Sequence, residues 1–231
     1  MQQSILSHND RPGAHNIQKQ KISESLTDDN GRTILRVNVE YPQGDFPSLA
    51  KRKRSETFNG FYEAVASEYA AFCKNKRKKN ALSAFVRDPD RKPFGEIMKT
   101  YVTFDSEHCV SIVTEITHFD GYFSKTARFS HVWDAETQLV LPVSYVCDRL
   151  GLRASDIRKK VGDLVMRSVE QGNADFTFSE KRLRRFAYRV DPSQYFLTPR
   201  GLAFWFRPGT LADESFGFPA FVLPCDVAAF C

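Results

Sequence analysis

The residues able to do chemistry are few and scattered. Five histidines occur, at positions 8, 15, 108, 118 and 131, and five cysteines at 73, 109, 147, 225 and 231. His108, Cys109, His118 and His131 are the candidate metal ligands, since imidazole and thiolate suit zinc. His108 and Cys109 are adjacent, however, so a regular strand points them to opposite faces. A cysteine nucleophile needs a histidine within reach, and no spacing here supplies one. The carboxylates Asp105, Glu107, Glu115 and Asp120 fall at strand ends and polar faces, without the pairing that acid–base catalysis requires. Gly-x-Ser-x-Gly, His-Glu-x-x-His, Cys-x-x-Cys and a glycine-rich phosphate loop are all absent. The expectation is a protein without catalytic residues, metal or cofactor.

Two other groupings could make contacts. Asp120, Gly121, Tyr122 and Phe123 read as a hairpin tip carrying two aromatics, which are good contact residues when exposed. Two basic runs, Lys51, Arg52, Lys53, Arg54 and Lys76, Arg77, Lys78, Lys79, could bind an acidic surface or nucleic acid. An α-helix between them would hold the runs roughly 30 Å apart, too far to act as one compact patch.

The elements that must position these residues follow from periodicity. Residues 1–30 are polar and read as a disordered arm, with a single domain from 31 to 231. Leu35, Val37, Val39 and Tyr41 alternate as a strand. Ser55 opens a helix to Asn75 with Phe58, Phe61, Tyr62, Val65, Tyr69 and Phe72 on its apolar stripe. Ala81–Val86 suits either helix or strand. Three strands follow near 95–104, 107–118 and 126–133, with short links that favour an antiparallel meander. Leu139–Val143 reads as an edge strand because of Pro142. A second helix, capped by Ser155 or Asp156, runs to Gln171, and Ser179–Ala187 is a short basic helix. Tyr195–Leu197, the turn Thr198-Pro199-Arg200-Gly201 and Leu202–Phe206 form a hairpin whose return strand is apolar on both faces. Ala220–Leu223 closes the chain. The order predicts an α+β fold, an antiparallel sheet with two main helices packed against it.

Length and composition bound the rest. The 231 residues, 42% hydrophobic with 20 phenylalanines, support a sizeable core. The formal charge of +5 is too modest to imply a nucleic-acid partner. The odd, irregularly spaced cysteines argue for reduced thiols. No apolar run is long enough for a membrane helix, and the first ten residues lack the features of an export signal. These features read as a soluble, cytoplasmic chain.

Three segments resemble the C-terminal domain of lysozyme-sensing anti-sigma factors of the RsiV type, a domain also attached to some peptidoglycan deacetylases. They are Tyr195–Pro208, Phe218–Pro224 and the Trp133–Leu141 turn, with Ile34–Pro42 and a helix containing Asn59 also fitting. The likeness covers residues 32–224. This chain departs from the pattern at Asp120–Lys125, where relatives carry Gly-Gly-Ala-His, and at Gln138, which replaces a turn glycine. The resemblance implies an α+β binding or sensing module without catalytic activity, for a protein or cell-envelope ligand. Its relatives are usually extracytoplasmic. Nucleic acid is the less favoured partner. A nucleic-acid or acidic-surface binder and a hydrolase with an unfamiliar site are the two alternatives.

Overall fold

The computed structural model describes residues 13–49, 53–171 and 180–230. Its elements are β1 (Gln18–Thr27), β2 (Thr33–Gln43), α1 (Phe58–Phe72), α2 (Lys78–Arg87), β3 (Phe94–Asp105), β4 (Cys109–Phe119) and β5 (Ser124–Asp134), then α3 (Val143–Arg149), α4 (Ile157–Glu170), α5 (Glu180–Phe186), β6 (Tyr195–Thr198), β7 (Gly201–Trp205) and β8 (Ala220–Pro224). A five-stranded sheet has the order β1-β2-β3-β4-β5, and a three-stranded sheet the order β6-β7-β8. The α+β class expected from the element order is the class observed. Among the described residues, no helix is long and apolar enough to cross a membrane.

The chain divides into two compact units where composition suggests one domain. One contains His15–Thr100 and Thr114–Phe129; the other contains Tyr101–Val113 and the chain from Ser130 onward. The division falls within β3, β4 and β5, so no linker marks it in the sequence.

In the first unit, Gln18–Thr27 is a strand, not part of a disordered arm. Its polar residues hide a weak alternation: Ile22 and Leu26 sit opposite Val39 and Leu35 of β2 in an antiparallel register. β2 then pairs parallel with β3, Leu35 beside Phe94 and Val39 beside Met98. That pairing departs from the antiparallel expectation because α1 and α2 form a crossover between the two strands, as parallel neighbours require. Ile34, Leu35, Val37, Val39, Ala66, Cys73, Ala81, Ala84, Phe85 and Met98 make the core of this unit.

Helix α1 starts two residues later than Ser55 implies. Residues Arg54–Glu56 form a 3-10 turn, and Thr57 is the cap, its Oγ1 accepting from the Gly60 N–H at 3.3 Å. The buried face is Phe58, Tyr62, Ala66 and Ala70, which leaves Phe72 41% exposed. Asn59 ties the helix to the chain leaving β2: its amide donates to the Gly44 carbonyl and accepts from the Gly44 N–H, each at 2.9 Å. Between α1 and α2, Cys73–Arg77 is a π-helical turn.

In the second unit, β7 is buried along its whole length. Leu202, Phe204 and Phe206 pack with Val161, Val165 and Leu183 on one side; Ala203 and Trp205 pack with Val113, Phe196 and Phe218 on the other. This is the two-sided strand its composition predicts. Trp205 Nε1 donates to Ser130 Oγ at 3.2 Å, which satisfies the indole. Leu139–Val143 is not a strand: only Val140 bridges, to Trp133, and Val143 opens α3 after Pro142. α4 begins after Asp156 without a side-chain cap, since Ser155 Oγ bonds Asp156 instead of the helix end.

Candidate functional site

Each sequence-predicted grouping has a defined place. The Asp120–Phe123 segment is the tip between β4 and β5. Asp120 builds the turn: its Oδ1 accepts from the Tyr122 and Phe123 N–H groups, both at 2.9 Å. Those backbone donors, with Arg91 nearby, hold the Asp120 carboxyl below its ordinary range. Gly121 has a φ of +97°, and a Cβ there would meet the Lys92 carbonyl at 2.7 Å, so glycine is needed. The turn is braced from the segment that links α2 to β3. Arg91 Nε donates to the Asp120 carbonyl at 2.7 Å, and its guanidinium lies 4.5 Å from the Tyr122 ring centre. The Tyr122 hydroxyl donates to Asp88, whose carboxylate raises the phenol pKa.

The two aromatics are nonetheless presented to solvent, Tyr122 at 58% and Phe123 at 73% exposure. A ring held in place yet exposed loses little conformational freedom on contact with a partner.

The basic runs behave differently. Lys51 and Arg52 lie outside the described residues. Lys53 is exposed, and Arg54 pairs with Glu63 at 2.8 Å. The π-helical turn rotates Arg77 inward, while Lys76 and Lys79 stay exposed and Lys78 is half-buried. The second run is therefore split between the interior and the surface.

The inward Arg77 leads to a cluster that sequence reasoning missed. Glu96, on β3, is completely buried. Tyr69 Oη of α1 donates to its Oε2 at 2.6 Å, and His118 Nδ1 of β4 lies 2.6 Å from Oε1. Arg77 Nε is 3.0 Å from Oε1, misaligned for a hydrogen bond, so this contact is an ion pair. Burial and the adjacent Glu96 push the Tyr69 phenol far above its ordinary value. Burial, then the Glu96 charge, pushes the Cys73 thiol up to about 12. The available signal was one of spacing: Glu96 shares a strand face with the buried Met98 and Thr100, so it sits where an apolar side chain is expected.

The metal-ligand candidates do not converge. His108 is exposed, Cys109 is buried in the core of the second unit, and His118 is committed to Glu96. His131 is half-buried, and its desolvation lowers its pKa. No group of three His, Cys, Asp or Glu suited to a metal occurs among the described residues. Glu115 is engaged with Arg128 at 3.0 Å rather than with a second carboxylate.

No protein-family model matches the chain, and no curated protein matches it. Among solved structures, it is similar to a DUF3298 family member from Bacteroides fragilis NCTC 9343, with a TM-score of 0.63, 12% identity, and coverage of 92% of this chain and 91% of that one. It is also similar to a DUF3298 family protein from Pseudomonas aeruginosa PAO1, with a TM-score of 0.49 and 12% identity, covering 93% of this chain and 96% of that one. The first of these shows a shared fold. Neither description names a ligand or an activity.

Proposed function

We propose that this chain is a non-catalytic binding module whose contact point is the Tyr122–Phe123 tip, of the kind represented by the RsiV-type sensor domain. The observation that carries the reading is the combination of exposure and bracing at that tip. Tyr122 and Phe123 face solvent while Asp120, Arg91 and Asp88 hold the turn. Large exposed aromatics of this kind anchor protein partners. The resemblance at Tyr195–Pro208 and Trp133–Leu141 supports the same class. The Glu96 cluster supports a non-catalytic reading too. Three groups already engage the carboxylate, so it serves as a joint between helix and sheet rather than as an acid or base held in reserve.

The test is site-specific photocrosslinking in cells that make the protein naturally, with a benzophenone amino acid at position 123 and, as a control, at exposed Lys79. A discrete adduct from position 123, lost when Tyr122→Ser is added, is expected. Adducts only from position 79, an adduct from position 123 that survives Tyr122→Ser, or none at all would overturn the assignment. His118→Ala should leave the position 123 adduct intact.

A further inference from the structure

The helices α1 and α2 pack on the face of the sheet that carries Leu35, Val37, Val39 and Met98. The opposite face of β1, β2 and β3 is polar apart from the half-buried Ile97 beside Asn38, and its long charged side chains reach solvent. Its registers line up charge in a pattern that neither strand shows alone. Lys21 of β1 sits opposite Glu40 of β2. The parallel register of β2 and β3 ends with Val39 beside Met98, and Lys99 is the next residue of β3, exposed on this face. Glu40 thus faces Lys21, with Lys19 also 4.0 Å from it. Arg36 lies four residues back along β2, exposed on the same face. Between them Ser23 Oγ donates to Asn38 Oδ1 at 3.1 Å, a hydroxyl–amide pair at the centre of the patch. Lys19, Lys21, Arg36 and Lys99 outnumber Glu40 on this stretch of the face, so it carries an excess of positive charge.

The spacing selects the form of the partner. Arg36 and the Lys21/Lys99 pair are separated by four residues of strand, roughly 13 Å, and an extended peptide repeats its i and i+4 side chains over the same distance. Lys21 and Lys99 are two strand spacings apart, about 10 Å, and straddle one position of such a peptide. Single-stranded nucleic acid would need stacking platforms as well as cations. No aromatic residue lies on this face between Lys19 and Ser25 of β1, Arg36 and Glu40 of β2, or Gly95 and Lys99 of β3.

We infer that this uncovered sheet face binds an extended acidic polypeptide segment of a partner protein, with carboxylates four residues apart meeting Arg36 at one end and Lys21 and Lys99 at the other. The surface is separate in its residues from the Tyr122–Phe123 tip, and neither reading depends on the other.

Fluorescence anisotropy with a labelled decapeptide of alternating Ser and Glu tests it, with a labelled decathymidine as the competing chemistry. The peptide is expected to bind in a salt-sensitive manner, since exposed charge pairs are screened over about 10 Å at 0.1 M salt. Arg36→Glu/Lys99→Glu should weaken peptide binding by about tenfold or more, the loss of two attractive contacts and the gain of two repulsive ones. Arg36→Gln/Lys99→Gln should give a smaller loss in the same direction. Lys76→Glu/Lys79→Glu, on the crossover, and Tyr122→Ser/Phe123→Ser, at the tip, should change it less than about twofold. All four variants alter exposed side chains, and thermal melts check that they fold. Absence of peptide binding at low salt, unchanged binding by Arg36→Glu/Lys99→Glu, or tighter binding of decathymidine than of peptide would overturn the proposal. Failure of the tip crosslink with an intact peptide response would remove only the reading of the tip.

Discussion

At the scale of single residues, the buried Glu96 carries the sharpest consequences. Its carboxylate collects Tyr69, Arg77 and His118 from α1, the π-helical turn and β4. Removing it by Glu96→Ala leaves those donors without their acceptor, and unfolding in urea should show a loss of about 3 kcal/mol. The same site predicts alkaline behaviour. In the folded state the Cys73 thiol is raised from 9.0 to about 12, by burial first and by Glu96 second. A raised pKa means that the native state keeps its proton while the unfolded chain loses it. The contribution is therefore present below pH 9 and is lost as the pH climbs from 9 to about 12. Thiol labelling checks this directly: Cys73 should react slowly with iodoacetamide at pH 8.5, and faster in Glu96→Gln, where the raising charge is gone. Labelling at equal rates in both proteins would show that Glu96 does not govern the thiol. Sequence patterns did not expose Glu96, because a glutamate in an alternating strand reads as a solvent-facing position until a helix is known to lie over it.

At the scale of elements, the crossover α1–α2 depends on a few close approaches. Gly60 opens α1 against the preceding 3-10 turn, and a Cβ there would lie 1.8 Å from the Arg54 carbonyl oxygen. Backbone cannot retreat as a flexible side chain can, so Gly60→Ala should lower stability by about 2 kcal/mol or more despite alanine's better helix propensity. A thermal melt at or above that of the unaltered protein would contradict this packing. The helix itself was legible from its aromatic spacing. Its start was not, because Ser55 and Thr57 both suit an N-cap and only the 3-10 turn at Arg54–Glu56 decides between them. The second basic run was legible as charge but not as geometry, since the π-helical turn sends Arg77 inward and its neighbours outward. Gln138 illustrates the reverse case. Its φ of +51° lies in the left-handed region that glycine usually occupies, so the backbone makes this turn without one.

At the scale of the whole molecule, each unit has its own core, and β7 lies at the centre of the larger one. Trp205 is 4% exposed, packs edge-on against Phe218 at 5.4 Å between ring centres, and bonds Ser130. Trp205→Ala should therefore cost about 3 kcal/mol or more, the range of large core truncations, as measured by denaturant unfolding. The α+β class and the two-sided burial of this strand were legible because long apolar runs have few other places to go. The division into two units was not, since it passes through β3, β4 and β5 instead of through a polar linker.

The sequence by itself determined the class of the fold, the aromatic hairpin at Tyr195–Phe206 and the tip at Asp120–Phe123. Each rests on local signals: side-chain period, turn chemistry and apolar density. Only the tertiary structure decided the rest. It paired β2 with β3 in parallel, drew Gln18–Thr27 into the sheet, buried Glu96 under α1 and set Lys21 opposite Glu40. Strand register and helix rotation are set by contacts between residues far apart in the chain, and period alone carries no information about which distant partner a residue will face.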